Sequence, residues 1–145
     1  MKVALAQMKT VPADVSGNLS RATDYLERGR SRGAELVLFP ELTLSGQLPM
    51  AFVRRSDFLE ANRRALNALA ERCEGLTAVV GFVDQADDGA GAQNALAVLD
   101  DGQCVGTHVK SRLRRGGVRD EGQHFVAGDG PVTFVEAAGL KIALT

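Results

Sequence analysis

A chain of 145 residues, 45% of them hydrophobic, carries enough apolar material for one core, and one domain is expected. Its 17 basic and 18 acidic residues leave a net charge of -1, so no global field draws it to nucleic acid or to anionic lipid. Two cysteines are too few for a disulfide framework and no stretch approaches membrane-spanning length, so a reducing, cytoplasmic setting without a membrane partner is expected.

Val3, Leu5 and Gln7 alternate with Ala4, Ala6 and Met8 in a mostly apolar run, which predicts a strand covered on both faces. The run is too short for a signal peptide, because Lys9, Pro12 and Asp14 follow at once. Asn18 is the expected cap of a helix in which Leu19, Ala22, Leu26 and Gly29 keep helical spacing, and Gly33 ends it. Residues 35–39 read as a buried strand cut off by Pro40. A second helix begins near Ser56 or Asp57, with Phe58, Ala61, Ala65, Leu69 and Cys73 on its apolar side; Cys73 is expected there as a small core residue. Residues 76–83 predict another strand. Residues 93–99 and 103–109 face each other across Asp100-Asp101-Gly102, a hairpin signal, and residues 131–136 and 140–145 form a last pair hinged at Gly139. Helices early and paired strands late predict an α/β chain with a mixed sheet and helices on one face.

Ligands gather at the carboxyl ends of parallel strands in such a sheet. Phe39-Pro40-Glu41 puts a carboxylate at one of these ends, where desolvation would make it a better proton acceptor and hence a general base. Lys110 closes the 103–109 strand in the same manner. Either residue alone is ordinarily a solvated strand end; their combination in order with other motifs carries more weight.

That ordered set is Phe39-Pro40-Glu41-Leu42-Thr43-Leu44-Ser45-Gly46, Gln93-Asn94-Ala95, Asp101-Gly102, Gly106-Thr107-His108-Val109-Lys110 with Leu113, Asp120-Glu121, and Phe125 with Gly128. It resembles the nitrilase superfamily of carbon-nitrogen hydrolases from Met1 to Thr145. Lys110-Ser111-Arg112-Leu113, Gly117-Val118, Asp120-Glu121 and residues 125–131 look most like the amino-terminal glutaminase domain of glutamine-dependent NAD synthetase. The resemblance implies an α-β-β-α sandwich of which these residues form the amino-terminal half. It also implies a general base at Glu41, an oxyanion-stabilising lysine at Lys110 and a second acid at Glu121, with a small amide such as glutamine as substrate and ammonia as product. No cofactor is implied, and His108 and His124 lack the neighbours that a zinc site needs.

The family nucleophile is a cysteine that follows the strand matching residues 139–145, and neither Cys73 nor Cys104 matches it. These residues are therefore expected to stop just before the nucleophile and to be inactive alone. An apolar sheet face left open would be covered by a copy of the chain or by a complementing carboxyl-terminal half. Further departures are Gln47 where the family commonly has tyrosine, Arg114-Arg115-Gly116-Gly117 where the synthetase pattern has Pro-Asn-Tyr-Gly, and Arg119 in place of an aromatic. Two other readings stand beside the hydrolase: a non-catalytic remnant or binding subunit that pairs with another chain, and RNA binding through the basic 110–119 loop. Nucleic acid is disfavoured because no aromatic interleaves those arginines.

Overall fold

The computed structural model describes residues 1–47, 52–117 and 120–145. Val118 and Arg119, which enter the synthetase-like motif and the basic loop, lie outside the described residues. Strands β1 (Val3–Leu5), β2 (Leu36–Leu38), β3 (Thr77–Gln85), β4 (Ala92–Asp100) and β5 (Gln103–Val109) form one sheet in that spatial order. The pairs β1·β2 and β2·β3 are parallel, whereas β3·β4 and β4·β5 are antiparallel. Consequently β2 and β5 run in the same direction, and their carboxyl ends share one rim.

Helices α1 (Val15–Ser31) and α2 (Ser56–Ala70) cover one face of the sheet. Leu26, Leu66 and Leu69 pack there against Ala78, Val80 and Phe82 of β3 and Ala97 and Leu99 of β4. Full burial of each such leucine is worth about 1.5–3 kcal/mol, so this face dominates the stability. Cys73 is buried in the same cluster, as expected of a core thiol, although it lies just beyond α2. On the opposite face, the hairpin of β6 (Thr133–Ala137) and β7 (Leu140–Leu144) lays Val135, Ala137 and Leu144 over Val98. Gly106 of β5 admits this hairpin, because a Cβ there would stand 2.5 Å from Val135 Cγ2. The turn at Ala138 and Gly139 uses positive φ at both residues, the geometry that matches strand twist in a two-residue hairpin.

Two local expectations are corrected. The first strand is not covered on both faces: it is an edge strand of three residues, and Leu5 is 75% exposed. Asn18 does not cap α1. Asp14 does, accepting from the Gly17 N–H at 3.0 Å, and Asn18 lies one turn inside the helix, fully buried. Its amide donates to the carbonyls of Val11 and Leu44 and accepts from the Val11 N–H, tying the loops after β1 and β2 to the helix. A buried amide satisfied by three backbone groups serves a structural purpose that a cap-like sequence context conceals.

Candidate active site

Three segments converge on the rim where β2 and β5 end. The first is the turn after β2. Phe39 still donates its N–H to Val79 O, but Pro40 has no N–H to give, so the chain leaves the sheet and crosses over β3. It crosses at Gly81, where a Cβ would stand 2.5 Å from Leu42 N, 2.7 Å from Pro40 O and 2.8 Å from Glu41 Cα. The absent side chain lets Glu41 lie directly on the sheet. The second segment is the end of β5, where Lys110 donates its N–H to Asn94 O at 2.9 Å.

The third is the stretch after the basic loop. A single 3-10 turn, Glu121–Gln123, is capped by Asp120, whose carboxylate accepts from the Gly122 N–H. Phe125 anchors it by burying its ring among Leu42, Phe58, Leu59 and Val83. Val126 N–H bonds Ala92 O and Gly128 N–H bonds Lys110 O, which fasten the stretch along β4 and β5.

These segments bring together the three residues singled out by sequence. Lys110 Nζ lies 2.7 Å from Glu41 Oε1 and 3.0 Å from Glu121 Oε1. Asn94, which belonged to a quoted motif but had no assigned role, joins them: its Nδ2 donates to Glu41 Oε1 at 2.8 Å and more weakly to Glu121 Oε1 at 3.4 Å. The signal that could have marked it is a polar side chain on a strand face otherwise apolar at Leu96 and Val98. Glu121 Oε2 also accepts from the Arg114 N–H at 2.7 Å.

Charge balance follows from these contacts. Burial acts to lower the Lys110 pKa, but the hydrogen bonds and charges of Glu41 and Glu121 outweigh it and hold the ammonium above its usual range. Burial likewise acts to raise Glu121, and the Arg114 N–H together with Lys110 hold its carboxyl below the usual range. Lys110 is therefore a fixed cation across the neutral range. The desolvated setting expected for Glu41 is not there: its side chain is 46% exposed, because the chain turns outward at Pro40 before the carboxylate. What distinguishes Glu41 is contact. Oε1 is held by Lys110 and Asn94, while Oε2 has no hydrogen bond among the described residues.

Glu41 and Lys110 line a cavity of about 230 Å³ with Phe39, Asn94, Leu96 and His108. His108 stands two residues before Lys110 on the same face of β5, bonded through Nδ1 to Thr133 Oγ1 at 3.1 Å. Thr145 also lines this cavity. Neither cysteine does. Cys73 precedes β3 and Cys104 lies near the start of β5, at the opposite rim, and burial pushes the Cys73 thiol up to about 12. Among the described residues, no group of three or more His, Cys, Asp or Glu side chains is placed to hold a metal ion. No helix among them is long and apolar enough to cross a membrane.

An unbonded carboxylate oxygen and a fixed ammonium on one cavity wall, with a second carboxylate behind the ammonium, suit proton transfer beside a developing oxyanion. Other proteins are similar to this chain in sequence and in fold. The glutamine-dependent NAD(+) synthetase of Thermotoga maritima is 35% identical over the whole chain, and that of Xanthomonas campestris pv. campestris is 33% identical over 99% of it. The chain spans about a quarter of the length of these synthetases. The solved structure of the glutamine-dependent NAD+ synthetase from Acinetobacter baumannii, in complex with adenosine diphosphate, superposes with a TM-score of 0.89 at 30% identity, covering 97% of this chain and 26% of that one. An amidase from Nesterenkonia sp., of the nitrilase superfamily, has the same fold, with a TM-score of 0.83 at 24% identity over 99% of this chain and 54% of its own. The architecture is thus the nitrilase-type α/β fold over the span these structures share. A family model described as carbon-nitrogen hydrolase matches residues 2–145, and with that coverage the chain belongs to the carbon-nitrogen hydrolase family.

Proposed function

We propose that these residues form the amino-terminal portion of an amide-hydrolysing domain in which Glu41 is the general base, Lys110 stabilises the oxyanion and Glu121 holds Lys110 in place. The observation that carries this reading is the Lys110 ammonium, bonded to both carboxylates at the mouth of a cavity that Glu41 and Lys110 line. The substrate is a small amide such as glutamine, and the nucleophile is a cysteine supplied by residues outside these 145. The synthetases that are 35% and 33% identical to the chain are named glutamine-dependent, which supports that choice.

The chemistry follows from the geometry. Glu41 takes the thiol proton through its unbonded oxygen, and the thiolate attacks the amide carbon. Negative charge collects on the former carbonyl oxygen, within reach of Lys110, whose cation needs no reorganisation because two carboxylates already orient it. Glu41 returns the proton to the departing nitrogen, the carbon-nitrogen bond breaks, and ammonia leaves a thioester. Water, deprotonated by Glu41, then opens the thioester to the free acid and restores the thiol. Asn94 keeps Glu41 Oε1 engaged so that Oε2 does the proton transfer.

Ammonia feeding NAD synthesis, as the relatives' names suggest for the whole proteins, is the wider role we assign to the completed domain. The test is ammonia release from glutamine or a simple amide by the chain supplied with the carboxyl-terminal half of a glutaminase domain, fused or separate. Thiol-sensitive ammonia release that requires both parts supports the proposal. A folded, assembled complex without it supports the reading as a non-catalytic binding subunit instead.

A further inference from the structure

Asn94 holds an acceptor that the amide-hydrolase reading leaves idle. Its side chain lines the cavity beside Glu41 and Lys110, and the residue is only 3% exposed. Both hydrogen bonds of its amide group leave from Nδ2, to Glu41 Oε1 at 2.8 Å and to Glu121 Oε1 at 3.4 Å. Carboxylates only accept, so the two glutamates fix which end of the amide is nitrogen and turn Oδ1 away from themselves. Among the described residues nothing donates to Oδ1, and it is not sealed in the interior as the unpartnered Asn62 Oδ1 is. A carbonyl oxygen on the wall of a buried cavity calls for a donor from whatever occupies that cavity.

Lys110 supplies the counterpart. Its ammonium has three N–H donors, of which two go to Glu41 Oε1 at 2.7 Å and Glu121 Oε1 at 3.0 Å. Lys110 Nζ and Asn94 Nδ2 meet on the same Glu41 oxygen, so the spare donor and the idle acceptor stand side by side. Together they complement one edge of an unsubstituted carboxamide, whose carbonyl oxygen accepts and whose N–H on the same side donates. In an N-alkyl amide of ordinary trans geometry, the alkyl group takes the place of that N–H.

We propose that Asn94 is a catalytic residue whose Oδ1 accepts a hydrogen bond from the nitrogen of the scissile amide. This rests on the amide-hydrolase reading of the same site and adds a contact to the departing group. As Glu41 returns the proton, the nitrogen gains positive charge, and its bond to Oδ1 strengthens while the carbon-nitrogen bond breaks. One side chain thus holds the base through Nδ2 and the leaving group through Oδ1. The ground-state contact confers about a fivefold preference in affinity, the size of one net hydrogen bond.

The experiment titrates the 145-residue chain by NMR with propionamide and N-methylpropionamide, which differ by one methyl group on nitrogen. Dissociation constants are measured for the wild type and for Asn94→Ala, and the carbon resonance of the Asn94 side-chain carbonyl is followed in the wild type. The expected result is propionamide bound about fivefold more tightly than N-methylpropionamide by the wild type and about equally by Asn94→Ala, with the Asn94 carbonyl resonance moved by propionamide alone. A loosened site in Asn94→Ala lowers both affinities and leaves their ratio readable; if that variant binds neither probe, the Asn94 resonance decides. Equal affinities in the wild type, a preference that survives Asn94→Ala, or an Asn94 carbonyl unmoved by bound propionamide overturns the assignment of Asn94 and leaves the amide site standing. Failure of both probes to bind the wild type overturns the amide site and this inference together.

Discussion

Replacing Gly81 by alanine puts one methyl group where the Glu41 turn crosses β3. The backbone of Gly81 has no positive φ, so alanine is conformationally tolerated and the whole effect comes from contact. Its Cβ would stand 2.5 Å from Leu42 N and 2.8 Å from Glu41 Cα, against about 3.5 Å for comfortable contact, so the turn must lift by about 1 Å. Both neighbours are backbone, so no side-chain rotation relieves the clash. A lift of that size stretches the 2.7 Å Lys110–Glu41 bond beyond hydrogen-bonding range while leaving Lys110–Glu121 untouched. Overpacking of this kind costs about 1–3 kcal/mol. Urea unfolding reads the stability, and NMR titration of the Lys110 side chain reads the site. The expected outcome is a lower midpoint together with a Lys110 pKa that moves down, since one of its two carboxylates has withdrawn. Gly130→Ala, where a Cβ meets nothing within 4 Å, serves as the control and should leave both readouts in place. A Gly81→Ala variant as stable as the parent, with Lys110 unmoved, would refute the argument that this glycine positions Glu41.

Other outcomes follow from the same contacts. Glu121→Gln should cost about 1–2 kcal/mol at neutral pH, because Glu121 is only 12% exposed and Lys110 loses half its pairing. Its folded pKa lies below its unfolded one, so the stabilisation is present above about pH 4.3 and is lost as pH falls through the folded value. The gap between wild type and variant in urea unfolding should therefore close in acid, and a gap independent of pH would count against the pairing. Asn18→Leu should destabilise by about 2–3 kcal/mol, since it leaves the Val11 N–H and the Val11 and Leu44 carbonyls without their partner; a loss under 0.5 kcal/mol in thermal unfolding would sink that account. A disulfide reagent should titrate Cys104 alone in the native chain and Cys73 only after unfolding, because Cys73 is buried with its thiol pushed up to about 12.

Much of the fold was legible because the local signals agreed with the tertiary outcome. The apolar run before Pro40, the turn at Asp101-Gly102 and the hinge at Gly139 each specify an element by themselves, and the structure places β2, β4–β5 and β6–β7 there. The first strand was misjudged because period and hydrophobicity show that Val3 and Leu5 suit a strand but not what lies against them. Asn18 was misjudged because the same residue type serves as a helix cap or as a buried bridge, and the choice depends on Val11 and Leu44, distant along the chain. At the site, the meeting of Glu41, Lys110 and Glu121 was expected from ordered motifs. The setting of Glu41 was not, since the outward turn at Pro40 exposes the carboxylate. The role of Asn94 became visible only once β4 was in register beside β5, with Asn94 between the two glutamates.

The central claim is that Glu41 and Lys110 perform the chemistry once a thiol is brought to them. The most direct measurement is the single-turnover rate of ammonia release from glutamine by the chain complemented with a cysteine-bearing carboxyl-terminal half, comparing wild type with Glu41→Gln and Lys110→Met. The account predicts that each substitution slows release by at least about 10²-fold while the complex still assembles, as loss of a general base or an oxyanion donor requires. A Glu41→Gln complex that releases ammonia within a few-fold of the wild-type rate would contradict it.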